Sequence, residues 1–112
     1  EIVTRLYRNT GGVFTNFGAS LVGVHEGALA WGDYDNDGDV DLALAGYTGT
    51  ATTSRIYRND GGTFNDIGAA LPGTSGGLLW GDYDGDGDLD LALVGSSVIR
   101  IFRNDGCVFY LR

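Results

Sequence analysis

Ten aspartates occupy every second position of two nine-residue runs: Asp33, Asp35, Asp37, Asp39 and Asp41 in the first, and Asp82, Asp84, Asp86, Asp88 and Asp90 in the second. Each run carries glycine at its sixth position, Gly38 and Gly87. Carboxylates crowded this closely repel one another, and the cost rises when any of them leaves water, so the spacing calls for a compensating cation. Alternate oxygens on a tightly turning loop can converge on one point, and the glycine permits the bend. A donor set made of hard oxygens suits calcium, which takes about 6 to 8 of them at flexible angles; magnesium demands a stricter octahedron and keeps its water. Two calcium sites per chain are therefore expected, with all ten aspartates as candidate ligands. By analogy with calcium loops in general, side chains at positions 1, 3, 5 and 9 would ligate together with the position-7 carbonyl. The side chains of Asp39 and Asp88 would then point outward.

Rival chemistries fit these runs less well. An EF-hand needs a bidentate Glu at position 12 and flanking helices, whereas position 12 is Leu44 or Leu93 and the flanks are short and glycine-bounded. A solvated acidic turn without metal does not explain why the same five-carboxylate spacing occurs twice. A glycosidase pair needs two acids in different environments about 5 to 10 Å apart across a cleft, not five on one loop. His25, the single histidine, has no Ser or Cys nucleophile motif beside it, so a triad is not expected. No catalytic residue is assigned and the chain is expected not to be an enzyme.

The elements that must hold the two runs are legible as repeats. Arg5-Leu6-Tyr7-Arg8-Asn9-Thr10-Gly11-Gly12-Val13-Phe14 recurs from Arg55 to Phe64 and again from Arg100 to Phe109, at spacings of 50 and 45 residues. Between them, the block Trp31 to Gly46 recurs 49 residues later as Trp80 to Gly95. A period of about 40 to 50 residues is that of propeller blades. Leu29–Gly32 and Asp41–Gly46 flank an acidic loop. Arg55–Asn59 and Thr63–Ile67 flank Asn-Asp-Gly-Gly, whose residues accept positive φ and favour a hairpin. Each unit thus reads as a four-stranded antiparallel meander. The apolar runs Leu-Ala-Leu and Arg-Ile-Tyr lack clean alternation, which suits strands covered on both faces. A helix over Leu89–Val94 is disfavoured by its shortness and its bounding glycines.

The chain is all-β on this reading, a single array of about 2.5 repeats: a half repeat over 1–27, a full repeat over 28–77 and a full repeat over 78–112. A β-propeller closes with about 4 to 8 blades, so the array needs completion. Neighbouring chains, as a homo-oligomer in a ring or filament, could supply it, or a longer parent could. The unpaired half repeat makes strand exchange one route.

Composition bounds the rest. The chain has 112 residues, a net charge of -8, 20 glycines and one proline, which favours tight turns over long helices. Its 43% hydrophobic residues exclude a disordered acidic tail, and no run reaches the ~20 apolar residues of a transmembrane helix. An acidic balance argues against a nucleic-acid partner. Glu1 is not a translation start, so an excerpt or mature piece is expected.

Trp-Gly-Asp-Tyr-Asp-Gly-Asp-Gly-Asp-Leu-Asp-Leu-Ala-Leu, followed by Arg-Ile-Tyr-Arg-Asn-Asp-Gly-Gly-Thr-Phe, resembles the FG-GAP/VCBS repeat family, the blades of integrin-α-like β-propellers. The resemblance covers nearly the whole chain. It implies an extracellular or cell-surface propeller of about seven or eight blades, with calcium in the loop between the first two strands of a blade. It also implies roles in adhesion, ligand binding or structural surface layers, with a protein or glycan as possible ligand.

Secondary candidates follow. Trp31 and Trp80 are expected in the core, with sugar stacking as the alternative. The arginine pairs 5/8, 55/58 and 100/103 project to opposite sheet faces and are expected to meet acids or lie between blades. Cys107 replaces the turn glycine of the other two copies, where it could join two chains or lie inert. Tyr47–Ser54 forms a longer, variable loop that could carry the specificity of a lectin-like propeller, or serve as a solvated tip.

Overall fold

A computed structural model describes residues 2–95, 99–106 and 108–111, without the side chains of Val108 and Tyr110. Among these residues ten strands, all paired antiparallel, make three sheets. The first is a hairpin of β1 (Tyr7–Thr10) and β2 (Val13–Asn16). The second is a meander of β3 (His25–Gly32), β4 (Asp41–Tyr47), β5 (Thr52–Asp60) and β6 (Thr63–Asp66). The third repeats it with β7 (Leu78–Gly81), β8 (Asp90–Val94), β9 (Ile99–Asp105) and β10 (Val108–Leu111). No helix occurs among the described residues; Leu89–Val94 falls mainly in β8. The all-β antiparallel architecture expected from the repeats is the one observed.

The meander is set by the turns. Gly61 and Gly62 link β5 to β6 at φ of 62° and 103°, the doubly positive combination that a two-residue hairpin matched to strand twist requires. The Asn59 side chain secures this turn by accepting the Gly62 amide at 2.8 Å, and Asn9 does the same for Gly12 at 2.9 Å.

Strand β4 explains why its sequence does not alternate between apolar and polar. Its residues Asp41 through Gly46 are all buried. Leu42 and Leu44 face one side, where with Tyr57 they pack against Leu21, Val22, Val24 and Phe64. Ala43 faces the other, where with Ile56 and Tyr34 it meets Leu91, Leu93 and Phe102 of the third sheet. The second sheet therefore carries core on both faces, one against the third sheet and the other beneath the segment that holds Leu21, Val22 and Val24.

Three local expectations need correction. Strand β3 begins at His25 rather than Leu29, with a register irregularity between His25 and Ala28 where Glu26 takes a φ of 49°; bulges of this kind leave no apolar signature. The loop expected over Tyr47–Ser54 shrinks to residues 48–51, because β4 runs on through Tyr47 and β5 starts at Thr52. Trp31 is 46% exposed, touching Phe64 edge-on, while Trp80 is half-buried as expected. The fate expected of Cys107 lies outside the described residues.

Candidate metal centre

Each acidic run bridges the first two strands of a four-stranded sheet, β3 to β4 and β7 to β8. Strand geometry fixes the last aspartate: Asp41 pairs with Gly32 and Asp90 with Gly81 at the strand ends. That pairing draws position 9 of each loop beneath position 1. The intervening residues then turn back over it through Gly38 at φ 93° and Gly87 at φ 91°.

Backbone amides pin the loops. Asp33 accepts from the Asp37 and Gly38 amides at 3.2 and 2.9 Å, and Asp82 accepts from Asp86 and Gly87 at 3.1 and 2.9 Å. Asp37 accepts from the Asp39 amide and Asp86 from the Asp88 amide, both at 2.9 Å. Below, the buried Asp41 accepts from the Tyr34 amide at 3.1 Å and the Asn59 amide at 2.8 Å. Asp90 repeats this with Tyr83 at 3.2 Å and Asn104 at 2.8 Å.

The result is two matching clusters. Asp33, Asp35, Asp37 and Asp41 each offer a ligand oxygen, all within 4.8 Å of one another, and so do Asp82, Asp84, Asp86 and Asp90. Positions 1, 3, 5 and 9 are thereby brought together. Asp39 and Asp88 stand outside the clusters: Asp39 accepts the Gly61 amide at 3.1 Å, and Asp88 accepts the Asn36 side-chain amide at 2.9 Å.

The electrostatics carry the strain of this arrangement. Desolvation and the neighbouring carboxylates Asp33, Asp41 and Asp37 push Asp35 up to about 7. Burial likewise raises Asp41, against the opposing pull of the Asn59 and Tyr34 amides. Asp84 is raised by desolvation and then by Asp86. Desolvation also acts on Asp33, yet hydrogen bonds led by the Gly38 amide leave it below the ordinary carboxylate range, and Asp82 is lowered first by the Gly87 amide. In the first cluster, Oδ1 of Asp35 is shut away from solvent with no hydrogen-bond partner among the described residues. A buried carboxylate oxygen without a donor, among three other carboxylates, is the chemistry a hard divalent cation satisfies. The residues present therefore fit such an ion.

Other candidates sit away from these clusters. His25 lies 3.2 Å from Glu26 and edge-on to Tyr47, whose hydroxyl donates to the Gly49 carbonyl at 3.0 Å. Arg55, Arg58 and Arg103 pair with Asp66, Asp60 and Asp105 at 3.5, 2.8 and 3.4 Å, and Arg8 stacks on Phe17. The sequence reading missed Tyr34, Asn36, Asn59 and Asn104, all of which touch the loops or their supports. Tyr recurs at loop position 2 and Asn follows Arg in the outer hairpin, which is the trace of Tyr34, Asn59 and Asn104, whereas Asn36 stands where the second loop has Gly85 and leaves no such trace.

A family model described as an FG-GAP-like repeat matches residues 33–93, from the start of the first acidic loop to the end of the second copy of Leu-Ala-Leu. No curated protein and no solved structure matches the chain.

Proposed function

The chain belongs to the FG-GAP-like repeat family, and from that premise we propose a calcium-clamped structural and adhesive repeat module, acting at or outside the cell surface, that assembles sheet upon sheet with further repeats. Catalysis has no part in this reading. Its central observation is the twofold convergence of four carboxylates within 4.8 Å. Asp33, Asp35, Asp37 and Asp41 would hold one ion and Asp82, Asp84, Asp86 and Asp90 the other. Calcium would supply the positive charge that makes the loop's closure favourable.

Support for assembly comes from comparing equivalent positions in the two full sheets. Between them, Tyr34 stacks on Trp80 with ring centroids 5.8 Å apart and contacts Phe109 at 5.5 Å, and the Trp80 indole donates to the Ala30 carbonyl at 3.1 Å. Gly32 is small because a Cβ there would come within 2.8 Å of the Trp80 ring. Gly81 occupies the same place in the third sheet, yet among the described residues nothing lies within 4 Å of where its Cβ would be. Beside it Tyr83 and Leu79 are exposed, around a hollow of about 140 Å³ lined also by Ala92 and Ile101. The third sheet thus carries a second copy of the surface against which Trp80 packs in the second, here without a described indole seated on it. At the other end Trp31 is the indole without such a seat. A further repeat, from a neighbouring chain or a longer parent, would match both.

Thermal melting with and without chelator tests the clamp. An ion that binds only the folded state adds about 2.7 kcal/mol per site at a hundredfold excess over Kd. The melting temperature should therefore fall in EDTA and recover on adding calcium; equal melting in both would overturn the reading.

A further inference from the structure

The two acidic loops are tied together twice. On the surface, the Asn36 side-chain amide donates to Asp88 Oδ1 at 2.9 Å, across 52 residues of sequence. In the core, an unbroken run of hydrogen bonds joins the last aspartate of one loop to the last of the other. Tyr34 donates its amide to Asp41 Oδ2 at 3.1 Å and accepts at its carbonyl from the Asn104 side-chain amide at 2.8 Å. Asn104 in turn donates its own backbone amide to Asp90 Oδ1 at 2.8 Å. Asp41, Tyr34, Asn104 and Asp90 are each no more than 2% exposed, so breaking any link would strand a polar group away from water.

Asn36 also answers a conformational question. It sits at loop position 4 with φ of 57°, where the second loop has Gly85 at 72°. Glycine adopts that region at no steric cost, and asparagine is among the few residues that tolerate it. What the asparagine adds is the donor that reaches the next loop.

We propose that Asn36 and Asn104 are positioning residues that make the two loops one cooperative unit, so that a cation held by either loop raises the affinity of the other. The inference rests on the cation-binding reading above. Without an ion, the mutual repulsion of carboxylates opposes ordering of each loop. An ion in the first loop fixes Asp41 and the Tyr34 backbone, which holds Asn104 and, through it, Asp90. The second ion then meets a loop already ordered in part, which is positive coupling. Charge alone would give the opposite sign, since a first cation weakens the negative potential felt by the second. That effect fades with salt, the Debye length being about 8 Å at physiological ionic strength. Coupling through the relay is positive and persists at that ionic strength.

Calorimetric titration of the full chain with calcium chloride at physiological salt tests this. Asp37→Asn is expected to weaken binding at the second loop by about fivefold or more, and Asp86→Asn to weaken the first by the same factor, because coupling is reciprocal. Asn36→Gly should keep both sites and reduce the coupling. Hydrogen exchange in EDTA gives a metal-free readout: amides of residues 82–90 should exchange faster in Asn36→Gly than in the wild type. If each single-loop variant binds its remaining ion with wild-type affinity, the coupling is overturned while the cation reading stands. If no variant, nor the wild type, takes up calcium, the cation reading falls, and hydrogen exchange decides alone: unchanged rates in 82–90 overturn the tie between the loops, and faster rates uphold it.

Discussion

At the scale of the residue, the acidic loops are a balance between amides that favour ionised carboxylates and burial that opposes them. Asp35 carries the largest penalty, being raised from 3.8 to about 7. Without metal, the folded chain keeps a proton there that the unfolded chain releases above about 3.8, so stability falls as pH rises through that window. Melting in EDTA should therefore be lower at about pH 7.5 than at about pH 5.5, with calcium erasing the difference. A melting temperature that climbs over the same interval in EDTA would show that Asp35 does not govern the apo protein. The companion prediction concerns Asp37 and Asp86: replacing either by Ala should lower melting in calcium by at least the contribution of one ion, and by more if the loops are coupled, and leave melting in EDTA nearly unchanged or slightly higher. The alternation of Asp and the bend glycine made this layer readable from sequence. The ionisation of each carboxylate was not, because it depends on which amides fold back onto it.

At the scale of the element, the joint between the second and third sheets turns on Gly32, whose equivalent Gly81 lies on the other face of the third sheet. Gly32→Ala would drive a methyl into the Trp80 ring and should cost about 1–3 kcal/mol, the usual range for overpacking. Gly81→Ala meets nothing within 4 Å and should change the stability of the isolated chain by about 0.5 kcal/mol or less. Denaturant unfolding of the two variants side by side checks this; equal losses would mean that the two faces are not equivalents. Strand identity and the Gly-Gly hairpins were legible because turn chemistry and apolar runs are local. The bulge near Glu26, the extension of β4 and β5, and the exposure of Trp31 were not: each depends on what packs against the strand, which a repeat pattern does not state. The Tyr34–Asn104 contact spans 70 residues and leaves only the recurrence of Tyr and Asn as its trace.

At the scale of the whole molecule, three sheets of two, four and four strands leave matching surfaces at opposite ends, Tyr83 with Gly81 at one and Trp31 at the other. A contact between unlike patches propagates head to tail, closing into a ring or running on as a filament. Sedimentation of the chain should show association that rises with concentration and is lost in Gly81→Ala, whose fold survives. A wild-type chain that stays monomeric at every concentration would assign the missing repeats to a longer parent instead. On the proposed reading calcium would underlie every one of these scales, since it would fix the loops that carry Tyr34 and Tyr83. The most direct test is therefore the number of calcium ions bound per chain, counted by native mass spectrometry after dialysis against calcium. The account predicts two for the wild type and one for Asp37→Ala or Asp86→Ala; a wild-type chain that carries none would contradict it.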